Sequence, residues 1–136
     1  MRVMGLDVGE KTIGVAVSDA MGWTAQGVTV IRRRSLAEDL GQLRSLAEEY
    51  AVKEIVVGLP RRTDGSYGPE AEKMYQFGDE LKRTLKLPVE YWDERFSTVV
   101  AERTLLEGDV SRAKRRQLID KVAATVILQS YLDHRG

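Results

Sequence analysis

The chain has 136 residues, 21 Lys and Arg balanced by 21 Asp and Glu, one His and no Cys. That length suits one domain, residues 1–136, with a two- or three-layer core. The lack of Cys excludes disulfides, thiolate-zinc sites and thiol nucleophiles, and the single His134 near the end excludes a His metal cluster. Carboxylates remain as metal ligands, which favours Mg²⁺ or Mn²⁺ over zinc. No apolar run reaches membrane-spanning length and the N-terminus lacks a secretory pattern, so the expected setting is cytoplasmic, without a membrane partner. Zero net charge gives no global basic field, so a polyanion would have to bind through local patches: Arg32-Arg33-Arg34, Arg61-Arg62, or Arg112 to Arg116.

The elements are legible in order. Val3 to Val8 is an apolar run interrupted by Asp7, and Gly9-Glu10-Lys11 turns it into Thr12–Asp19, whose alternating apolar and small residues predict the returning arm of a hairpin. A third strand is expected from about Gly27 to Ile31. Ser35 with Glu38 forms a capping box for a helix whose apolar face is Leu36, Leu40, Leu43, Ala47 and Tyr50. Glu54 to Leu59, nearly all apolar, predicts a strand covered on both faces and stopped by Pro60.

A loop with Arg61 and Arg62 leads to Pro69, which starts a helix that buries Ala71, Met74, Gly78, Leu81 and Leu85. The fifth strand, Val89 to Trp92, runs into Asp93-Glu94-Arg95. Ser97 caps a helix through Leu106, stopped by Gly108. A basic loop follows, then a final helix from about Arg116 to Asp133. Hairpin connections followed by helical crossovers predict an α/β fold, a mixed sheet with helices on both faces.

In such sheets ligands gather beyond the carboxyl ends of the parallel strands. Acids stand at those ends: Asp7 after the first strand, Asp93 and Glu94 after the fifth. Asp120 heads the line Asp120, Ala124, Ile127, Tyr131 on the last helix, where Ala123 and Ala124 allow close approach to the sheet. Each acid alone has an ordinary explanation. Asp7 could cap its own turn through the amides of Gly9 and Glu10. Asp93 and Glu94 could serve a helix N-terminus, and Asp120 could pair with Arg116. Together they would repel one another unless divalent ions neutralise them. Two such ions can activate a water and stabilise a leaving oxygen in phosphodiester cleavage, which needs no His or Cys.

Four segments, Leu6 to Asp19, Val57-Gly58-Leu59-Pro60, Asp93 to Thr98 and Asp120 to Ala124, resemble in order the YqgF (RuvX) family. Its members are RNase H-like proteins described as nucleases of Holliday-junction-resolvase type and implicated in maturing the 5′ end of pre-16S rRNA. The resemblance covers essentially the whole chain. It implies a five-stranded RNase H-like mixed sheet and a Mg²⁺- or Mn²⁺-dependent nuclease, monomer or homodimer. Its catalytic and metal-binding carboxylates would be Asp7, Glu94 and Asp120, with Asp93 in support. Lys11, Thr12, Arg61, Arg62, Arg95, Arg112, Lys114 and Arg115 are the candidate contacts to nucleic acid, either precursor rRNA or branched DNA. One departure is that the strand ending Gly58-Leu59-Pro60 carries no acid where RNase H-like relatives often place one. Trp92 and Tyr131 are expected to pack rather than to stack on bases. The Asp7-to-Thr12 turn also resembles the phosphate loop of actin-like ATPases and sugar kinases, but those close two such domains on a nucleotide and this chain supplies one.

Overall fold

The computed structural model describes residues 1–59, 68–93 and 112–135, the last segment in side-chain detail from Lys121 onward. In chain order the elements are β1 (Arg2–Val8), β2 (Thr12–Ser18), β3 (Ala25–Arg32), α1 (Leu36–Glu49), β4 (Val52–Leu59), α2 (Pro69–Leu85), β5 (Val89–Asp93) and α3 (Arg112–Arg135). The strands form one sheet in the order β3-β2-β1-β4-β5. The two hairpin pairs are antiparallel, and the helical crossovers make β4 parallel to both β1 and β5. This is the five-stranded mixed sheet that the RNase H-like resemblance implies, and β1 is its central strand.

Strand alternation divides the core between two faces. Met4, Leu6, Ile13, Val15, Ile55 and Val57 pack under α1 and α2, against Leu40, Leu43, Phe77 and Leu81. Val3, Ala16 and Val56 point the other way and meet Ala124, Ile127, Leu128 and Leu132 of α3. Helices therefore cover both faces, as the apolar run of β4 predicts. The Ser35 hydroxyl accepts a hydrogen bond from the Glu38 amide at 3.2 Å, so the expected cap of α1 is in place.

Several boundaries differ from the sequence reading. β3 starts at Ala25 rather than Gly27: Ala25 and Gln26 pair with Ser18 and Val17 of β2, and the Gln129 side chain, far away in sequence, accepts from the Ala25 amide at 2.9 Å. Leu36 is 46% exposed instead of facing the core, while Asp39, three residues on, is buried. In α2, Phe77 is buried, whereas Met74 and Leu85 are half-buried. α3 starts at Arg112 rather than Arg116, so the expected basic loop is helical there. Arg, Lys, Ala and Gln are good helix formers, but no apolar periodicity precedes Leu118 to reveal a helix. The helix expected from Ser97 to Leu106 and the Arg61-Arg62 loop lie outside the described residues.

The approach of α3 to the sheet depends on missing side chains. A Cβ at Gly5 would lie 2.7 Å from Leu128 Cβ and 3.3 Å from the Ala124 carbonyl oxygen, and one at Gly27 would lie 2.8 Å from Lys121 Cγ. At Gly5 the obstruction includes helix backbone, so α3 would have to retreat as a body. Gly5→Ala is therefore expected to destabilise the fold by about 1–3 kcal/mol, the usual cost of overpacking. Chemical denaturation measures it, and an unchanged midpoint would show that the helix yields freely.

Candidate active site

Asp7 is half-buried near the end of the central strand, paired in register with Gly14 of β2. Alternation puts it on the face of Val3 and Gly5, the side covered by α3. The turn beyond it closes through the Gly9 amide, which donates to the Thr12 carbonyl at 2.8 Å. That donor is thus committed within the hairpin.

α3 runs antiparallel to β1. Its C-terminal turns lie at the start of the parallel strands, where Arg135 donates to Glu54 at 2.9 Å and the Tyr131 hydroxyl also donates to Glu54. Burial, then the hydrogen bond to the Glu54 carboxylate, pushes the Tyr131 hydroxyl pKa upward. Toward the other end, Ala124 sits over Gly5. Four residues back from Ala124 is Asp120, a step of about 6 Å along the axis. Two residues on from Gly5 is Asp7, a step of about 6.6 Å in the same direction. The backbone thus brings position 120 to the level of Asp7.

β5 reaches the same edge of the sheet. Asp93 pairs in register with Leu59, and β4 separates β5 from β1, so the Asp7 and Asp93 strands run about 10 Å apart. Trp92 lies on the α3 face, its ring 5.6 Å from Tyr131 and its indole N–H donating to Ser130 at 3.0 Å. Both aromatics pack, as expected. Asp93 follows Trp92, so alternation carries it to the opposite side of the pleat, that of Tyr91, and it shares no face with Asp7. Leu59, at the end of β4, is buried and apolar, consistent with the missing acid there.

The other expected site residues fall into three groups. Lys11 is exposed and Thr12 half-buried in the turn next to Asp7. Arg112, Lys114 and Arg115 belong to the first turn of α3, which contains no acid. Glu94, Arg61, Arg62, Arg95 and the side chain of Asp120 lie outside what is described. Among the described residues, no three His, Cys, Asp or Glu side chains come together as a metal site.

Asp39, which the sequence reading missed, and Arg33, which it placed in a phosphate patch, stand beside the turn. Asp39 is buried and pairs with Arg33, at 3.2 Å from Nε. Arg33 also donates to the Gly9 carbonyl at 2.8 Å. Arg33 is thus tied into the fold, and the Arg32-Arg33-Arg34 run is not a three-cation phosphate patch. The available signal was an acid in the first turn of a helix following a basic run. A groove of about 740 Å³ opens beside Arg33 on the α1–α2 side of the sheet, floored by Val8 and Phe77. Glu10, Glu70 and Glu80 line it with Lys73 and Arg33, Glu80 being paired with Arg83 as Arg33 is with Asp39.

Comparison with known proteins accords with this geometry. A family profile described as "RuvX: Holliday junction resolvase" matches residues 1–134. A protein of Heliobacterium modesticaldum named "Putative pre-16S rRNA nuclease" is 61% identical over 136 residues, covering 100% of this chain and 91% of that protein. One of the same name from Moorella thermoacetica is 60% identical and covers 100% and 97%. Among solved structures, RuvC of T. thermophilus in complex with Holliday junction substrate superposes with a TM-score of 0.62 at 13% identity, covering 99% of this chain and 95% of that one. The fowlpox virus resolvase with Holliday junction DNA gives 0.60 at 11% identity, covering 99% of each chain. At those identities the structures speak for the fold alone, while the profile and the curated relatives span nearly the whole sequence. The chain belongs to the RuvX family and has an RNase H-like fold.

Proposed function

We propose that this protein is a divalent-metal-dependent nuclease that hydrolyses phosphodiester bonds in precursor 16S rRNA. The observation that carries the reading is the matched step along β1 and α3, which brings position 120 to the level of Asp7 at the carboxyl edge of the sheet. The names of the relatives supply the substrate. A second reading, cleavage of four-way DNA junctions, draws support from the family's description and would call for a dimer to cut two strands.

Asp7, Glu94 and Asp120 would hold Mg²⁺ or Mn²⁺. The donors fit such an ion in kind: Asp7 offers a hard oxygen ligand on the face that α3 covers, and the chain has no Cys to favour a softer metal. When bound, the ions supply a more acidic water and positive charge for the leaving oxygen. Asp93 lies on the face opposite Asp7, so Glu94 is preferred to it as the third ligand. Lys11 and Thr12, on the turn beside Asp7, would contact the phosphate being cut. Arg61, Arg62 and Arg95 would hold the flanking backbone.

The first turn of α3 supports the same substrate class. Cations at a helix N-terminus oppose its dipole, so Arg112, Lys114 and Arg115 do not stabilise the helix by standing there. An anion recruited to them would remove the conflict. They also lie on the helix that carries Asp120, at its sheet-edge end.

Assays with and without Mn²⁺ on duplex RNA, single-stranded RNA and a four-way DNA junction test the activity and separate the two substrates. Cleavage of the junction alone would transfer the reading to DNA. Divalent ions bound to the folded state should raise the melting temperature, and Asp7→Asn should remove most of that shift. An identical melting temperature in wild type with and without millimolar Mn²⁺ would sink the metal site. Losing a supporting partner of a metal ligand costs about 10- to 100-fold, so Asp120→Asn should lower cleavage by about a hundredfold or more while nucleic-acid binding survives. Near wild-type cleavage would leave Asp120 as an ordinary helix charge. Replacing Arg112, Lys114 and Arg115 with Ala should weaken RNA binding and flatten its log–log salt dependence by about one unit for each phosphate no longer neutralised. Unchanged affinity and slope would send the substrate past Arg61-Arg62 instead.

A further inference from the structure

We infer that Arg33 is a positioning residue for the catalytic edge: it fixes the Gly9–Lys11 turn, and through it the carboxylate of Asp7 and the contacts offered by Lys11 and Thr12. The inference rests on the reading of Asp7 as a catalytic carboxylate. Arg33 donates to the Gly9 carbonyl, two positions after Asp7, at 2.8 Å. The backbone amide of Arg33 donates to the Lys11 carbonyl, also at 2.8 Å. One residue, immediately after β3, therefore grips both ends of the turn, once with its side chain and once with its main chain. The Gly9 amide closes the hairpin on Thr12, so the turn is held from inside and from outside.

What holds Arg33 is equally specific. Its Nε lies 3.2 Å from a carboxylate oxygen of Asp39, which is 1% exposed, and its guanidinium stands 5.3 Å from the centre of the Phe77 ring. The other Asp39 oxygen accepts from the Arg34 amide at 3.0 Å. A buried carboxylate needs such partners, because an unpaired one would be costly. Asp39 also sits in the first turn of α1, where the helix dipole favours negative charge. The turn is thus referenced, through one planar side chain, to the N-terminus of α1 and the flank of α2.

A guanidinium suits this task because its donors diverge in a fixed plane, serving Asp39 and Gly9 together. A Lys ammonium has no such plane, and its single nitrogen on a flexible stem would hold the two less firmly. Loss of the grip would let the turn drift. A misplacement near 1 Å in a catalytic constellation costs about a hundredfold, which sets the scale of the expected effect.

The test uses the full chain and the nucleic acid that wild type cleaves with Mn²⁺. Arg33→Ala, Arg33→Lys and Asp7→Asn are compared with wild type by thermal unfolding, then by kcat, KM and the Mn²⁺ concentration giving half-maximal rate. For Arg33→Ala folded at the assay temperature, kcat should fall roughly ten- to hundredfold with KM changed much less. The Mn²⁺ requirement should rise, and Arg33→Lys should recover part of the loss. A role in stability alone would leave kcat per folded molecule unchanged. That result, or a kcat within twofold of wild type, overturns the proposal. If Arg33→Ala does not fold, Arg33→Lys is judged by the same split between kcat and KM. Full activity in Asp7→Asn would overturn the reading of the site itself, and with it this inference, whatever the Arg33 variants do.

Discussion

At Gly5 the central strand and the last helix meet with no side chain between them, and Leu128 and the Ala124 carbonyl occupy the space a Cβ would take. Ala123 and Ala124 complete the close fit from the helix side, both buried. Contacts this short leave little freedom to slide, because close-packed interiors transmit displacement rather than absorb it. The height of α3 above the sheet and its register along β1 are set together at this point. Every residue further along the helix inherits that register. The level of position 120 relative to Asp7 is therefore a consequence of packing among small apolar residues, two strand positions away from the carboxylate.

The opposite face of the sheet contributes by a different kind of interaction. There the large apolar core under α1 and α2 encloses one buried acid, Asp39, whose partner Arg33 reaches to the turn after Asp7. Dispersion and apolar burial position the α3 side, while a charged hydrogen-bonded clasp positions the turn. Both converge on the carboxyl end of β1, where β4 and β5 also terminate. The crevice rule for sheets with parallel strands places ligands at that edge.

Charge is distributed to match. The groove beside Arg33 carries more acid than base, and the first turn of α3 carries only base. In a protein with no net charge such patches act separately, since fields are screened within about 8–10 Å at ordinary ionic strength. Local placement, rather than overall basicity, would decide where a nucleic-acid backbone lies.

Much of this was written locally. The Asp7 interruption in an apolar run, the hairpin after it, the Ser35 cap, Pro69 at a helix start and the two-sided burial of β4 all depend on near neighbours in sequence. Backbone preferences and side-chain periodicity act over that same range of a few residues, so those features were legible. Four ordered motifs also pointed to the family. The start of α3 was not legible, because helix formers without apolar spacing leave no periodic mark. Gly5 and Asp39 were missed, and Arg33 was assigned to a phosphate patch, for a related reason: their roles exist only when segments distant in the chain come together. The same holds for Asp93, which alternation along β5 turns away from the face of Asp7 once Trp92 is seen to face α3. Sequence determined the elements and the acids that could serve. Tertiary packing decided that Asp7 faces α3 and Asp93 does not, because a one-residue change of register would turn every side chain of a strand to the other side.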